Sequence, residues 1–166
     1  MTKIKKIVHG YQSVYFYIVL VACMATVFGF NLGAMLSSKV RLINIFMLEI
    51  YDIDSMVNTF MLGSLVGVFL GGRLVYDTGR IQSVIGSFSF GVIGQCTSIL
   101  APTFSTLFIT EFVVGVSCGV YLISSVSYII ELSPRETRGS CALLIPCFAL
   151  LGFLISVLLK DFIPKN

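Results

Sequence analysis

Residues 13–36 read SVYFYIVLVACMATVFGFNLGAML, and this apolar stretch decides what kind of protein the sequence describes. No formally charged residue occurs between Lys6 and Lys39, which is long enough for one helix of about 20 residues to cross a bilayer. Four more charge-free segments follow, at 55–72, 81–110, 112–130 and 139–159. The sequence therefore predicts a polytopic membrane protein.

The composition supports the same conclusion. Of the 166 residues, 57% are hydrophobic and 11% are charged, whereas about a quarter of the residues of soluble domains are charged. Soluble enzymes, nucleic-acid binders and disulfide-framed domains are excluded, and we expect no cofactor, no metal site and no enzymatic chemistry. The cysteines all lie in apolar segments without a metal-binding or redox spacing, and we interpret them as packing residues: Cys23, Cys96, Cys118, Cys141 and Cys147.

We predict an all-α fold with about five transmembrane helices in one domain over residues 1–166. Their expected bounds are 13–36, 56–75, 82–101, 104–130 and 140–159. Asp54 and Ser55 are good N-caps for the second helix, and Pro102 ends the third.

The distribution of lysine and arginine predicts the orientation. With a cytoplasmic N-terminus, seven of these residues lie inside and four outside, which favours that orientation. We expect the protein to lie in the cell (plasma or inner) membrane. The inside set is Lys3, Lys5, Lys6, Arg73, Arg80, Arg135 and Arg138, and the outside set is Lys39, Arg41, Lys160 and Lys165.

Glycines recur every fourth residue on three of the predicted helices, a spacing that lets helix backbones approach closely. They are Gly29 and Gly33, then Gly63, Gly67 and Gly71, and then Gly115 and Gly119. The first pair reappears 86 residues later as the last pair. A three-helix repeat that crosses the membrane in opposite senses is typical of many secondary transporters.

Three motifs resemble those of the sugar porter family of the major facilitator superfamily. Residues 28–33 read FGFNLG, similar to the family's FGYDxG, and residues 71–80 read GGRLVYDTGR, similar to GGRLxDxxGRR. Residues 131–139 match the family's E-x-S-P-x-x-x-R-G through Glu131, Ser133, Pro134, Arg138 and Gly139. The order of the motifs along the chain is also that of the family.

The resemblance implies a fold of twelve helices in two six-helix halves that hold substrate between them, of which this chain supplies the first five helices. It implies the N-terminal part of a carrier that moves a sugar or similar small metabolite by alternating access, incomplete and inactive alone. Its partners would be the bilayer, the solute, and a missing C-terminal half or a second copy. The alternative is a non-transporting membrane protein, either a truncated remnant or a helical partner of a full-length carrier.

The chain departs from the family at four positions. Tyr76 replaces the motif aspartate, with the acid displaced to Asp77, and Ile81 replaces the second arginine of GRR. Glu111 lies where the family has an arginine, and Pro146 replaces a glutamine that binds sugar in the family. These changes make sugar specificity an open question.

The charged residues at the predicted cytoplasmic helix ends have two interpretations. In the family, such residues form an ion-pair cluster that holds the inner side closed, which by resemblance would comprise Asp77, Arg80, Glu131 and Arg138. Alternatively, these charges only anchor helix ends and set topology.

Asn31 and Glu111 are both expected in the outer part of the membrane, and Gln95 is expected to line a polar path or to bond between helices. In proton-coupled relatives the helix-one position is an aspartate and its helix-four partner an arginine. Three readings stay open: the proton-carrying group has moved to Glu111, Asn31 marks a facilitator, or the copy has decayed. We expect Glu111 to be protonated and hydrogen-bonded to Asn31, because burial in lipid disfavours a charged carboxylate.

Overall fold

The computed structural model describes residues 2–37 and 50–162, and within them the side chains of 14–37 and 54–159. All regular structure in these ranges is helical, which confirms the predicted all-α fold. The helices are α1 (Thr2–Ser37), α2 (Ile50–Thr78), α3 (Arg80–Ile99), α4 (Phe104–Leu132), α5 (Arg138–Ala142) and α6 (Leu144–Phe162).

Two helix boundaries differ from the expectation. Helix α2 begins at Ile50, so Asp54 and Ser55, predicted as N-caps, lie inside it. The segment before them contains neither proline nor glycine, so nothing local stops the helix from extending. The other difference is in the fifth helix, where a turn at Leu143 separates α5 from α6. Pro146 explains this break, since it has no N–H to donate to the carbonyl of Ala142 four residues earlier.

The junction between α2 and α3 is a single residue. Gly79 has φ 87°, a backbone conformation that glycine adopts without the steric cost other residues meet. The chain can therefore reverse between two long helices without a loop. This turn brings the end of α2 and the beginning of α3 to the same face of the bundle.

Four helical segments within the described residues are long and apolar enough to cross a membrane: Val14–Ser37, Asp54–Thr78, Phe104–Leu132 and Arg138–Leu159. Helix α3, predicted as the third of five spans, is not among them. Its 20 residues include three glycines and several serine, threonine and glutamine side chains, which lower its hydropathy.

The helices pack as two groups. Helix α1 lies against α6, while α2 and α3 both lie against α4. All of these helices contribute to the core, and its most deeply buried side chains come from α1, α4 and α6: Ile18, Val114, Tyr121, Ile129 and Ile145. Large apolar side chains on the outer surface are exposed, for example Phe69, Ile99 and Leu100, as expected for a surface in lipid.

Candidate functional site

The contact between α2 and α4 depends on glycines from both helices. A β-carbon added at Gly67 would overlap the carbonyl oxygen of Val116, and one added at Gly119 would overlap that of Ser64. Gly63 and Gly115 meet the backbones of Phe112 and Phe60 in the same way. The two helix backbones are therefore in direct contact, which no larger residue would permit.

A second contact of the same kind joins α1 to α6. A β-carbon at Gly29 would overlap the carbonyl oxygen of Ala149, and Gly33 lies against Phe153 and Ser156. Helix α6 contributes Gly152, which lies against the backbone of Thr26. Sequence reasoning missed Gly152 because a single glycine has no repeat spacing to mark it.

The two glycine contacts follow one rule. In the numbering of the predicted spans, α1 is the first span, α2 the second, α4 the fourth and α6 part of the fifth. The first span therefore packs on the fifth, and the fourth packs on the second. An inverted three-helix repeat relates the first span to the fourth and the second to the fifth, so it maps one contact onto the other. The Gly29/Gly33 and Gly115/Gly119 pairs thus hold equivalent places in the two halves of the repeat.

A polar cluster lies where the two helix groups meet, formed by buried Asn31 on α1, partly buried Ser98 on α3 and buried Glu111 on α4. Ser98 Oγ donates to Glu111 Oε1 at 3.1 Å, and Asn31 Nδ2 donates to Oε2 at the long distance of 3.4 Å. Asn31 is 8% exposed and Glu111 5%. The structure therefore brings together the two residues that the sequence singled out and adds Ser98 as the closer donor.

Aromatic side chains extend this junction along α1. The ring of Phe28 lies 5.0 Å from that of Tyr121 on α4 and 6.3 Å from that of Phe88 on α3. The hydroxyl of fully buried Tyr121 donates to the carbonyl of Val21 on α1. Sequence reasoning did not single out Tyr121. The available signal was a phenol inside an apolar span, because a buried hydroxyl there needs a partner.

Gln95, predicted to line a polar path, lies one turn before Ser98 on the same face of α3. Its side chain is half-buried, and its Nε2 atom is buried with no hydrogen-bond partner among the described residues. Within the described part of the chain, the two N–H groups of Gln95 are thus unused, one turn from Ser98. Unpaired buried donors of this kind are uncommon in proteins.

Arg80 and Glu131 form an ion pair at the opposite end of α4 from the polar cluster. Their side chains are 39% and 51% exposed, so the pair contributes only about 0–1 kcal/mol to stability. The other two members of the predicted gating cluster, Asp77 and Arg138, make no ion pair with any side chain that the structure describes. The pair borders an open groove of about 660 Å³ that also exposes Tyr76 and Tyr128.

Among the described residues, no three histidine, cysteine or acidic side chains lie close enough together to hold a metal ion.

Apolar spans, glycine-packed helix pairs in an inverted repeat and a buried carboxyl group together define most of one half of a secondary transporter. Comparison with known families agrees with this class and identifies the family. The family described as "Sugar (and other) transporter" matches residues 17–165. The chain belongs to this sugar transporter family.

Several curated sugar transporters are similar to the chain. Hexose transporter 1 of Toxoplasma gondii is 35% identical over 146 residues, which cover 80% of this chain and 26% of that protein. The arabinose-proton symporter of Bacillus subtilis is 28% identical, with 82% of this chain and 30% of the symporter covered. The human solute carrier family 2, facilitated glucose transporter member 12, is 25% identical, with 76% and 20% covered.

The chain therefore spans less than a third of the length of each of these relatives. No solved structure matches it.

Proposed function

We propose that this chain forms the N-terminal part of a carrier that moves a sugar or a similar small metabolite across a membrane by alternating access. The observation that carries the proposal is the pair of equivalent glycine contacts, α1 with α6 and α4 with α2. Such internal symmetry underlies alternating access, in which one group of helices moves against another around a central binding site. Transport also agrees with the relatives named above, which are a hexose transporter, an arabinose-proton symporter and a facilitated glucose transporter.

The proposed solute class follows from the relatives, and the structure qualifies it at one position. Pro146, at the place of the family's sugar-binding glutamine, is exposed on α6 and offers neither an amide side chain nor a backbone N–H. The proposed solute is a hexose, a pentose or a smaller polyol whose hydroxyls hydrogen-bond to residues other than Pro146.

We further propose that transport requires helices beyond those of this chain, from a longer polypeptide or a second copy. The chain covers 20–30% of the relatives' length, and the family's binding cavity lies between two halves. The purified chain in liposomes is therefore expected to give no saturable, stereospecific uptake of radiolabelled D-glucose, D-galactose or L-arabinose. Saturable uptake by the chain alone, without crosslinked dimers, would contradict this.

A chimaera tests the function directly. The chain replaces the matching segment of the Toxoplasma hexose transporter, and uptake is measured in cells that lack hexose transport. We expect saturable uptake that unlabelled D-sugar inhibits and L-glucose does not. The control is the same chimaera with Gly67→Leu, which separates the α2 and α4 backbones. A chimaera that reaches the membrane, as surface labelling verifies, but takes up none of the three sugars would favour the non-transporting alternative.

The proposed orientation has a cytoplasmic N-terminus and places the protein in the plasma or inner membrane. With five spans, a reporter fused after Asn166 that is active only in the cytoplasm is expected to stay inactive. The control is the same reporter fused before Met1, which is expected to be active. An active reporter after Asn166 would show that the span count or the orientation is wrong: the span count if the control is also active, and the orientation if the control is inactive.

A further inference from the structure

The polar cluster contains an ionisable group in surroundings that rarely hold one. Intramembrane carboxyl groups are rare, and they commonly belong to ion or proton pathways. We propose that Glu111, together with Ser98 and Asn31, forms a reversible proton-binding site. The use of this site to couple transport rests on the proposed function, whereas its proton chemistry does not.

Among the side chains that the structure describes, those around Glu111 offer hydrogen bonds but no compensating charge. The described cationic side chains lie near the other end of the spans, at Arg73, Arg80, Arg135 and Arg138. The described titratable side chains in the same half of the packed helices include Cys23 on α1, Asp54 on α2, Cys96 on α3, and Cys118 and Tyr121 on α4 itself, and none of these groups carries a positive charge. An uncompensated carboxylate is disfavoured in such a setting, so proton binding becomes favourable there.

The partners of Glu111 can satisfy both of its protonation states. A serine hydroxyl carries one donor and two acceptor lone pairs, so Ser98 can donate to the carboxylate or accept from the carboxylic acid. The carboxamide of Asn31 likewise offers NH₂ on one side and C=O on the other. Gln95, whose Nε2 has no described partner, is a spare donor near the ionised form. Proton gain and loss therefore need only rotations of side chains.

The site also lies at a place where a proton can change how helices are held. Asn31 belongs to the α1–α6 pair, while Ser98 and Glu111 belong to the group of α2, α3 and α4. In the ionised state, Glu111 accepts from donors on both sides of this boundary. When a proton from water forms an O–H bond on Glu111, one acceptor oxygen becomes a donor and the link across the boundary changes. Release of that proton to water restores the carboxylate.

Infrared difference spectroscopy of the full chain in lipid bilayers tests this site without any transport measurement. The carboxylic-acid C=O stretch is recorded as pH varies, for the unaltered chain and for Glu111→Gln. We expect a protonated band at neutral pH that is absent from the variant and that disappears reversibly as pH rises. An ionised Glu111 at pH 7, or a band that never titrates, would overturn the proposal.

A second pair of variants covers the case in which Glu111→Gln does not fold. Ser98→Ala removes a donor to the ionised form, so we expect it to move the titration midpoint to higher pH by about one unit. Its matched control is Thr97→Ala, since the Thr97 hydroxyl donates to the carbonyls of Ile93 and Gly94 on its own helix and to no other group among the described residues. Equal midpoints for these two variants would contradict a role for Ser98 in the site.

The chimaera described above separates this proposal from the proposed function. If Glu111 titrates in a chimaera that takes up no sugar, the proton site is supported and the transport function is wrong. If the chimaera transports sugar and Glu111 does not titrate, the reverse holds.

Discussion

The glycine contacts and the polar cluster join helices by opposite physical means. In the α1–α6 and α2–α4 pairs the backbones touch over several turns, and the contact depends on the absence of side chains. Between the two groups, α1 meets α3 and α4 through side chains, among them Phe28, Asn31, Glu111 and Tyr121. Backbone contact allows little adjustment, whereas hydrogen bonds between side chains can be exchanged. The difference between them is therefore that each pair is held by close backbone packing, whereas the boundary between the groups is held by side-chain packing and hydrogen bonds.

The largest effect should come from filling a glycine contact. Gly67→Leu places a side chain where the Val116 carbonyl lies, and we expect a loss of about 3 kcal/mol or more in stability. The matched control on the same helix is Gly72→Leu, because no atom lies within 4 Å of a β-carbon at that position. Thermal unfolding in detergent measures both. Equal effects of the two substitutions would show that α2 does not pack on α4 as described.

A charge placed in the polar cluster should have the next largest effect. Translocon scales assign about 2.5–3.5 kcal/mol to an arginine at the centre of a spanning helix, so Glu111→Arg should impair insertion and stability. Adding Asn31→Asp supplies a partner and should restore much of the loss. Glu111→Gln keeps the shape, and its amide can accept from Ser98 and donate to the side-chain carbonyl of Asn31, so it should be nearly silent for both. Insertion assays with microsomes check the series, and a failure of Asn31→Asp to rescue would contradict the contact between these residues.

Removal of one hydroxyl from the boundary should have a smaller effect. Tyr121→Phe keeps the ring that packs on Phe28 and loses the hydrogen bond to the Val21 carbonyl. We expect a loss of about 1 kcal/mol, the usual contribution of one such bond. Thermal unfolding of the variant in detergent provides the measurement. A loss of stability as large as that of Gly67→Leu would contradict the expectation that the boundary depends less on this hydrogen bond than the α2–α4 pair depends on its glycines.

The smallest effect should come from the exposed ion pair. Arg80→Gln breaks the contact with Glu131, and we expect a change of no more than about 1 kcal/mol, since solvent screens both groups. Addition of salt should then reduce the difference between the variant and the unaltered chain. A loss well above this, insensitive to salt, would indicate that Arg80 has further partners.

Much of the fold follows from the sequence because the membrane imposes simple requirements. Apolar length predicts the spans, and glycine spacing predicts which helix faces come into close contact. The break at Leu143 was harder to foresee, because the proline rule gives the lost hydrogen bond but not whether the helix bends or stops. The beginning of α2 at Ile50 was missed because an N-cap signal competes with the tendency of the preceding residues to stay helical.

The candidate site was predictable only in part. Asn31 and Glu111 stood out as polar groups in apolar spans, and the structure brings them into contact. The role of Ser98 as the closer donor depends on how α3 rotates against α4, which no local pattern encodes. The gating cluster was predictable only in part for the same reason. Position at helix ends grouped Arg80, Glu131, Arg138 and Asp77, whereas the structure forms an ion pair between Arg80 and Glu131.

The claim that the two glycine contacts are equivalent halves of an inverted repeat can be tested by solid-state NMR of the isotopically labelled chain in bilayers. We expect through-space cross-peaks between the α-carbons of Gly29 and Ala149 and between those of Gly67 and Val116. Both cross-peaks should persist in every condition that leaves the helices intact, including a change of pH across the titration of Glu111. A cross-peak from Gly29 to a residue of α2 or α4 in place of Ala149 would contradict the pairing, and with it the inverted repeat.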